Sequence, residues 1–379
     1  MIYLDNATTS FPKAPGVPEA VAAQLAFAGG SAGRSSHGPA RAAAELLFEA
    51  REELAGLLGF GRPERLIFTK NATEALNLVI LGAVPAGGSV ATTALEHNAV
   101  MRPLRYLEAE RAVRLVVVES DESGVPRPEA LAAVLASGPD LVVATAASNV
   151  TAQLLPIGDI ARACGAAGVP LCVDASQFVG HASVDVDALG AAALCFSAHK
   201  GLLGPTGIGA VCLAPGFDPE PLLRGGTGSA SESESQPSFL PDRYEAGTAN
   251  LAGAAGILAA VRYLAAADID ELRRREAAVV ERLLRGLAGL PGLRVLGPPP
   301  GAARAALVSV VADSLSSADL ALELDRRGIA ARAGLHCAPA AHRFAGSLAS
   351  GGALRLSPGF FTAETEVDEA LGAMEEILT

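Results

Sequence analysis

The sequence predicts an α/β protein: a large domain on a mainly parallel sheet, followed by a smaller α+β C-terminal domain. Three observations predict it. At 379 residues the chain exceeds one ordinary core, so two domains are expected. From about residue 40 to 213, short β-branched runs alternate with Ala/Leu-rich helical stretches, the βαβ signature of a parallel sheet covered by helices. From 214 to 250 the texture turns Pro/Gly/Ser-rich, and a mixed region of helices and strands follows, beginning near 255.

In order, "RLIFT" (65–69) reads as a strand and "NATEALNLVILGA" as the helix after it. "SVATTA" (89–94) is a strand before the helical "EHNAVMRPLRYLEAE". "RLVVVES", "DLVVATA", "PLCVDAS" and "ALCFSAH" are further strands, most with helical segments between them. The 214–250 stretch is too long for a simple connector, and loops of that length are functional or disordered. A helix over 270–290 carries Leu272, Val279, Val280, Leu283, Leu284 and Leu287 on one stripe. "ALVSVVAD", a helix with Leu320, Leu322 and Leu324, and the strand-like "GIAARAG" and "GALRLSP" follow. The last helix carries Val367, Leu371, Met374 and Leu378.

Half of the residues are apolar and 18% are charged, which suits a well-buried globular protein. Net charge is −12, from 29 basic and 41 acidic residues, without the block of Lys or Arg that phosphate backbones require; nucleic acid is not an expected partner. "MIYLDNATTS" lacks the basic and apolar regions of a signal peptide, and no apolar run of about 18 residues suggests a membrane span. Five cysteines make no disulfide framework, so a cytoplasmic protein with reduced thiols is expected. No metal-ligand spacing is present.

Four polar clusters fall where strands end, the place where open α/β sheets bind ligands. In "TKNATEALN", Asn71 and Glu74 have capping-box spacing, so free backbone N–H groups there serve either as an ordinary helix start or as a phosphate site. In "CVDASQ", Asp174 and Gln177 follow a buried strand, and the aspartate is either a helix cap or the partner of a protonated ring nitrogen. In "FSAHKGLLGPTGIGA", Lys200 is either a turn lysine or a desolvated Schiff-base lysine. In "ALEHNAV", His97 begins a helix. Together the four describe a site for a phosphorylated, aldehyde-bearing cofactor with a ring nitrogen, and pyridoxal 5′-phosphate (PLP) fits every element. Cys164, Cys172, Cys195 and Cys212 sit in apolar surroundings, as small hydrophobes do, whereas Cys337 lies in the turn-rich "GIAARAGLHCAPAAH".

The chain resembles the cysteine desulfurase and selenocysteine-lyase-like branch of the class V aminotransferases, which are fold-type-I PLP enzymes. The resemblance is carried by "YLDNATTSFPK", "GRSSH", "NATEALN", "EHNA", "SNVT", "VDASQ", "SAHKGLLGPTGIG", "GGTGS", "EAGTAN", "RAGLHCAP" and "RLSPG". It implies a large PLP-binding domain over 15–254 and a small domain made of 1–14 and 255–379. It implies Lys200 as the Schiff-base lysine, Asp174 as partner of the pyridine nitrogen, Gln177 on the phenolic oxygen and His97 stacked on the ring. Ala72, Thr73, Ser197 and His199 would hold the phosphate, with Thr248 reaching in from a second subunit of a homodimer. Asn149 would lie beside cofactor and substrate, Arg355 would clamp the substrate carboxylate, and Ala7 and Arg34 would complete the substrate site. Cys337 falls on the catalytic cysteine.

The implied reaction converts L-cysteine to L-alanine, with the sulfur held as a persulfide on Cys337 and passed to an acceptor protein. Arg332, Arg355 or His336 would favour the thiolate. A selenocysteine lyase, a C–S lyase on a cysteine conjugate and an aminotransferase-like enzyme are the alternatives. Leu335 stands where that branch often has a second histidine, Ala198 where glycine is common, and Ala152 where glycine often follows "SNVT".

Overall fold

A computed structural model of the chain describes residues 1–27, 29–33 and 37–379. The chain opens with β1 (Ile2–Tyr3), α1 (Val17–Phe27) and α2 (Gly38–Leu57). It then alternates through β2 (Leu66–Thr69), α3 (Ala72–Ala83), β3 (Ser89–Thr92), α4 (Asn98–Arg111), β4 (Arg114–Val117), α5 (Pro128–Ala136) and β5 (Leu141–Thr145). Next come α6 (Ile157–Ala167), β6 (Leu171–Asp174), α7 (Val186–Leu189), β7 (Ala193–Ser197) and β8 (Gly209–Leu213). Residues 214–250 carry no helix or strand. After them follow α8 (Leu251–Ala266), α9 (Ile269–Gly289), β9 (Leu293–Leu296), β10 (Val308–Ala312) and α10 (Ser317–Arg326). The last elements are β11 (Ile329–Ala330), β12 (Arg332–Gly334), α11 (Pro339–Phe344), β13 (Ala353–Leu356) and α12 (Glu364–Leu378).

The main sheet has seven strands in the order β2-β8-β7-β6-β5-β3-β4. All neighbours from β7 to β4 run parallel, while β8 is antiparallel to both β2 and β7. The central strands β5, β6 and β7 are buried along their whole length, which is why their sequences are continuous apolar runs rather than alternations. A second sheet, β12-β13-β10-β9, is antiparallel throughout. Ile257 and Leu264 of α8 join the core of the large sheet, whereas Leu283 and Leu287 of α9 join Val308 and Leu356 in another.

The α9 stripe buries Val279, Val280, Leu283, Leu284 and Leu287 as its spacing predicts. On α10 only Leu320 and Leu324 are buried; Leu322 lies two residues away, on the outer side of the helix, and is exposed. Cys164, Cys172, Cys195 and Cys212 are buried free thiols, and Cys337 is exposed. Among the described residues no single helix is long and apolar enough to cross a membrane.

Two features position the site. The parallel pairing of β1 with β11 and the bridge between Asp5 and Ser357 bring residues 5–8 against the second sheet. At the end of β7, the turn after Lys200 passes so close to residues 179–180 that a Cβ on Gly201 would stand 2.4 Å from the Val179 carbonyl oxygen. Only glycine fits that contact.

Candidate functional site

A cavity of about 250 Å³ opens beyond the C-terminal ends of β3, β5, β6 and β7. Its lining includes Ala7, Ala72, Thr73, His97, Asn149, Asp174, Gln177, Ser197, His199, Lys200, Cys337 and Arg355. Of the residues expected to hold cofactor or substrate, Thr248 and Arg34 are not among its lining. Thr248 lines a separate cavity of about 660 Å³, together with Lys70, Glu74 and Gly247. Arg34 lies outside the described residues.

One end of the cavity is built for an anion. Asn71 caps α3, its Oδ1 accepting from the Glu74 N–H at 3.0 Å, while the Glu74 carboxylate reaches back to the Lys70 N–H. The Ala72 N–H donates to Ser197 Oγ at 2.8 Å, so the Ser197 hydroxyl hydrogen remains available to a ligand. The Thr73 N–H has no partner among the described residues, as expected of a first-turn amide. His199 adds a buried Nδ1 without a hydrogen-bond partner, and burial lowers the pKa of its ring to about 4.

At the centre, Asp174 Oδ1 accepts from the Ser176 N–H and hydroxyl, and the other carboxylate oxygen takes no hydrogen bond among the described residues. Lys200 opens onto the cavity, and burial, reinforced by Arg355 and Arg332 against the pull of Asp174, lowers its ammonium pKa to about 8. Gln177 donates through Nε2 to the Ala7 carbonyl at 2.8 Å. His97 is the N-cap of α4: its Nδ1 accepts from the Ala99 N–H at 3.0 Å, which leaves the ring proton on Nε2. Burial also lowers the pKa of that ring.

The other end is cationic. Arg355 is 2% exposed and donates to the Asn149 carbonyl at 3.2 Å, Asp5 Oδ1 at 3.2 Å and Thr8 Oγ1 at 2.8 Å. Its buried Nε has no partner. Arg332 donates to the same Thr8 oxygen at 2.9 Å, so two guanidinium groups converge on one hydroxyl. Behind the cavity-lining Thr145 lies Glu96, wholly buried, with Oε1 accepting from Thr93 Oγ1 and the Thr145 N–H and with Oε2 unpartnered. Burial raises its pKa to about 8.

Cys337 lines this cavity and also an outer groove of about 490 Å³, whose walls include Asn77, Arg102 and Tyr106. It sits in a turn closed by the Ala338 N–H on the Leu335 carbonyl at 2.8 Å. Both central residues are left-handed, His336 at φ 48° and Cys337 at φ 54°. Asn149 Nδ2 holds the His336 carbonyl at 2.8 Å.

The expectation that His336 favours the thiolate is corrected: burial, with Arg355 and Arg332 nearby, brings its pKa to about 3, so the ring is neutral. Leu335 is 37% exposed and lines neither cavity. Ala152 adopts φ 61°, which explains why glycine suits that position, while the Ala198 methyl is accommodated against Gly204 with no left-handed backbone. Asp5, Thr8, Glu96 and Ser176 gave no signal of their own in the sequence; they join the site through contacts made only by the folded chain.

The anion end, the free carboxylate oxygen of Asp174 and the low-pKa lysine fit a phosphorylated cofactor that has an aldehyde and a ring nitrogen. The fold and the site thus define an α/β enzyme whose cavity opens onto a buried lysine. The aminotransferase class-V family profile matches residues 2–370, and the chain belongs to that family. A probable cysteine desulfurase of Pyrococcus abyssi is 33% identical over 100% of this chain and 94% of its own length. One of Pseudomonas putida is 32% identical over 99% and 93%. Among solved structures, the apo cysteine desulfurase of Thermococcus onnurineus superposes with a TM-score of 0.92 at 31% identity, covering 100% of this chain and 94% of that one. The Escherichia coli cysteine desulfurase CsdA gives 0.88 at 26% identity, covering 99% and 94%.

Proposed function

We propose that the protein is a PLP-dependent cysteine desulfurase that takes sulfur from L-cysteine onto Cys337 and leaves L-alanine. The observation that carries this reading is that Cys337, the exposed cysteine of the chain, lines the same cavity as Lys200. The relatives named as cysteine desulfurases support it over nearly the whole chain.

In this reading Ala72, Thr73, Ser197 and His199 hold the cofactor phosphate, Asp174 faces its ring nitrogen, and Gln177 and His97 fix and cover the ring. Bound there, PLP supplies an electron sink for negative charge at the substrate α-carbon. Arg355, with Arg332 beside it, holds the substrate carboxylate; Asn149 and Ala7 shape the rest of the substrate site. Lys200, with its low pKa, takes the α-proton as a neutral amine. Cys337 attacks as a thiolate on the substrate sulfur: an S–S bond forms, the Cβ–S bond breaks, and its electron pair passes to the alanine fragment. Protonation there completes alanine, and a thiol acceptor later removes the persulfide sulfur. Thr248 lies outside the cavity of its own chain, which suits a homodimer in which it serves the partner's site, with Arg34 completing the substrate pocket. A cycle through a free thiol suits the reducing cytoplasm.

The deciding experiment is an assay of purified holoenzyme with L-cysteine, comparing wild type with Cys337→Ala. Wild type forms alanine and, with added thiol, an equal amount of sulfide, while the variant keeps the yellow cofactor and loses both products. Full sulfur release by Cys337→Ala sinks the persulfide route.

A further inference from the structure

The turn that carries Cys337 is strained. An L-residue in the left-handed region costs roughly 1–2 kcal/mol, and two consecutive ones persist only when their surroundings hold them. Hydrogen bonds to the carbonyls of His336, from Asn149, and of Cys337, from the Asn98 N–H, supply two holds.

A third hold runs through side chains. His336 Nε2 lies 3.2 Å from the Arg332 carbonyl oxygen, which can only accept, so Nε2 carries the ring proton. The Nδ1 of that neutral ring must then accept, and His342 Nε2 donates to it at 3.2 Å. His342 Nδ1 becomes an acceptor in turn, and Ser347 Oγ donates to it at 2.8 Å, closer than the 3.4 Å to the His342 carbonyl. The two rings are stacked, 5.3 Å apart at 28°, and His342 and Ser347 are fully buried. While both rings are neutral, each bond has one proton and one possible direction.

We propose that Ser347 and His342 are positioning residues for Cys337, holding its turn through a one-way hydrogen-bond chain that ends on the Arg332 carbonyl. The role of that turn in sulfur transfer rests on the desulfurase reading above. Burial keeps His336 at about 3 and His342 at about 4, so the chain survives to well below neutral pH. The charged groups acting on it are Arg332 and Arg355, both of which act on His336, while Arg355 also acts on His342; each opposes a second proton. Cys337 is the remaining titratable group of the turn.

Cys337 is the exposed thiol of five, so alkylation of folded holoenzyme by iodoacetamide reads its turn without any turnover. His342→Leu fills the space and cuts the chain; Ser347→Ala removes its first donor; His342→Gln keeps an N–H near the position of Nε2. Expected are an altered rate of Cys337 alkylation between about pH 6 and 9 in the first two variants, with wild-type behaviour largely restored in His342→Gln. For sulfur release from cysteine, the first two lose about five- to tenfold in kcat with KM within about twofold. The absorbance of the bound cofactor stays that of wild type. Wild-type alkylation and kcat in both His342→Leu and Ser347→Ala overturn the proposal, and Ser347→Ala alone decides if His342→Leu does not fold. If Cys337→Ala retains sulfur release, the desulfurase mechanism fails while the alkylation result still tests the chain.

Discussion

The backbone N–H of Asn98 donates to the carbonyl of Cys337 at 2.7 Å, tying the first turn of α4 to the exposed thiol loop. His97, one residue earlier, lines the cofactor cavity. A single peptide unit therefore sets the spacing between His97 and Cys337.

That tie can be cut without harming the helix. Asn98 is the first helical residue of α4, where proline is well tolerated, and His97 is already extended at φ −75° and ψ 158°. Asn98→Pro should leave thermal stability within about 1 kcal/mol of wild type yet lower kcat/KM for sulfur release by about fivefold. Calorimetry and steady-state kinetics on one preparation check both halves.

Thr8 uses its whole hydrogen-bonding capacity, accepting from Arg332 and Arg355 and donating to Asp5 Oδ1 at 2.8 Å. Thr8→Val has the same shape and makes none of these bonds. The two guanidinium groups then lose their common reference point, and KM for cysteine should rise about tenfold, with a smaller fall in kcat. An unchanged KM would separate Thr8 from substrate binding.

Lys200 reacts with an aldehyde only as the neutral amine. Since its pKa is lowered to about 8, the rate of PLP uptake by the apoprotein should climb through about pH 8 rather than near the ordinary 10.5. The unfolded chain keeps this proton up to its ordinary pKa while the folded one releases it near 8, so apoprotein stability rises with pH between those values. Lys200→Ala should abolish the yellow complex and this pH dependence together.

Glu96 titrates with the opposite consequence. The folded carboxyl keeps its proton up to about 8, whereas the unfolded one releases it near 4.5, so this residue makes the fold less stable as pH rises between the two. Glu96→Gln retains the acceptor for Thr93 and Thr145 and has nothing to ionise. Melting curves at about pH 5 and about pH 8 should lie closer together in the variant, with the gain at the higher pH.

Much of this site could be read from local sequence. Asn71 with Glu74 marked the start of α3, the apolar runs before Asp174 and Lys200 marked central strands, and the apolar contexts of four cysteines set Cys337 apart. What escaped depends on pairing between distant residues. Nothing in "EHNA" shows that Glu96 accepts from the Thr145 N–H at the end of β5, and nothing in "CAPAAH" shows that His342 turns back onto His336. Glycine's absence at 336 and 337 hid two left-handed positions, because the usual signal for them is glycine itself. The contact of Asp5 with Arg355 spans 350 residues and has no local signature at all.

That last contact bears on how the protein is made. Asp5 and Thr8 are made before the central sheet, whereas Arg332, Cys337 and Arg355 follow only after some 320 to 350 further residues. At about 5–20 residues per second, the interval is on the order of 20–70 s. The central sheet, complete by Leu213, can form around Asp174 and Lys200 before Arg332, Cys337 and Arg355 are there to stand over it. The site is therefore whole only once residues 5–8 have met residues 332–355.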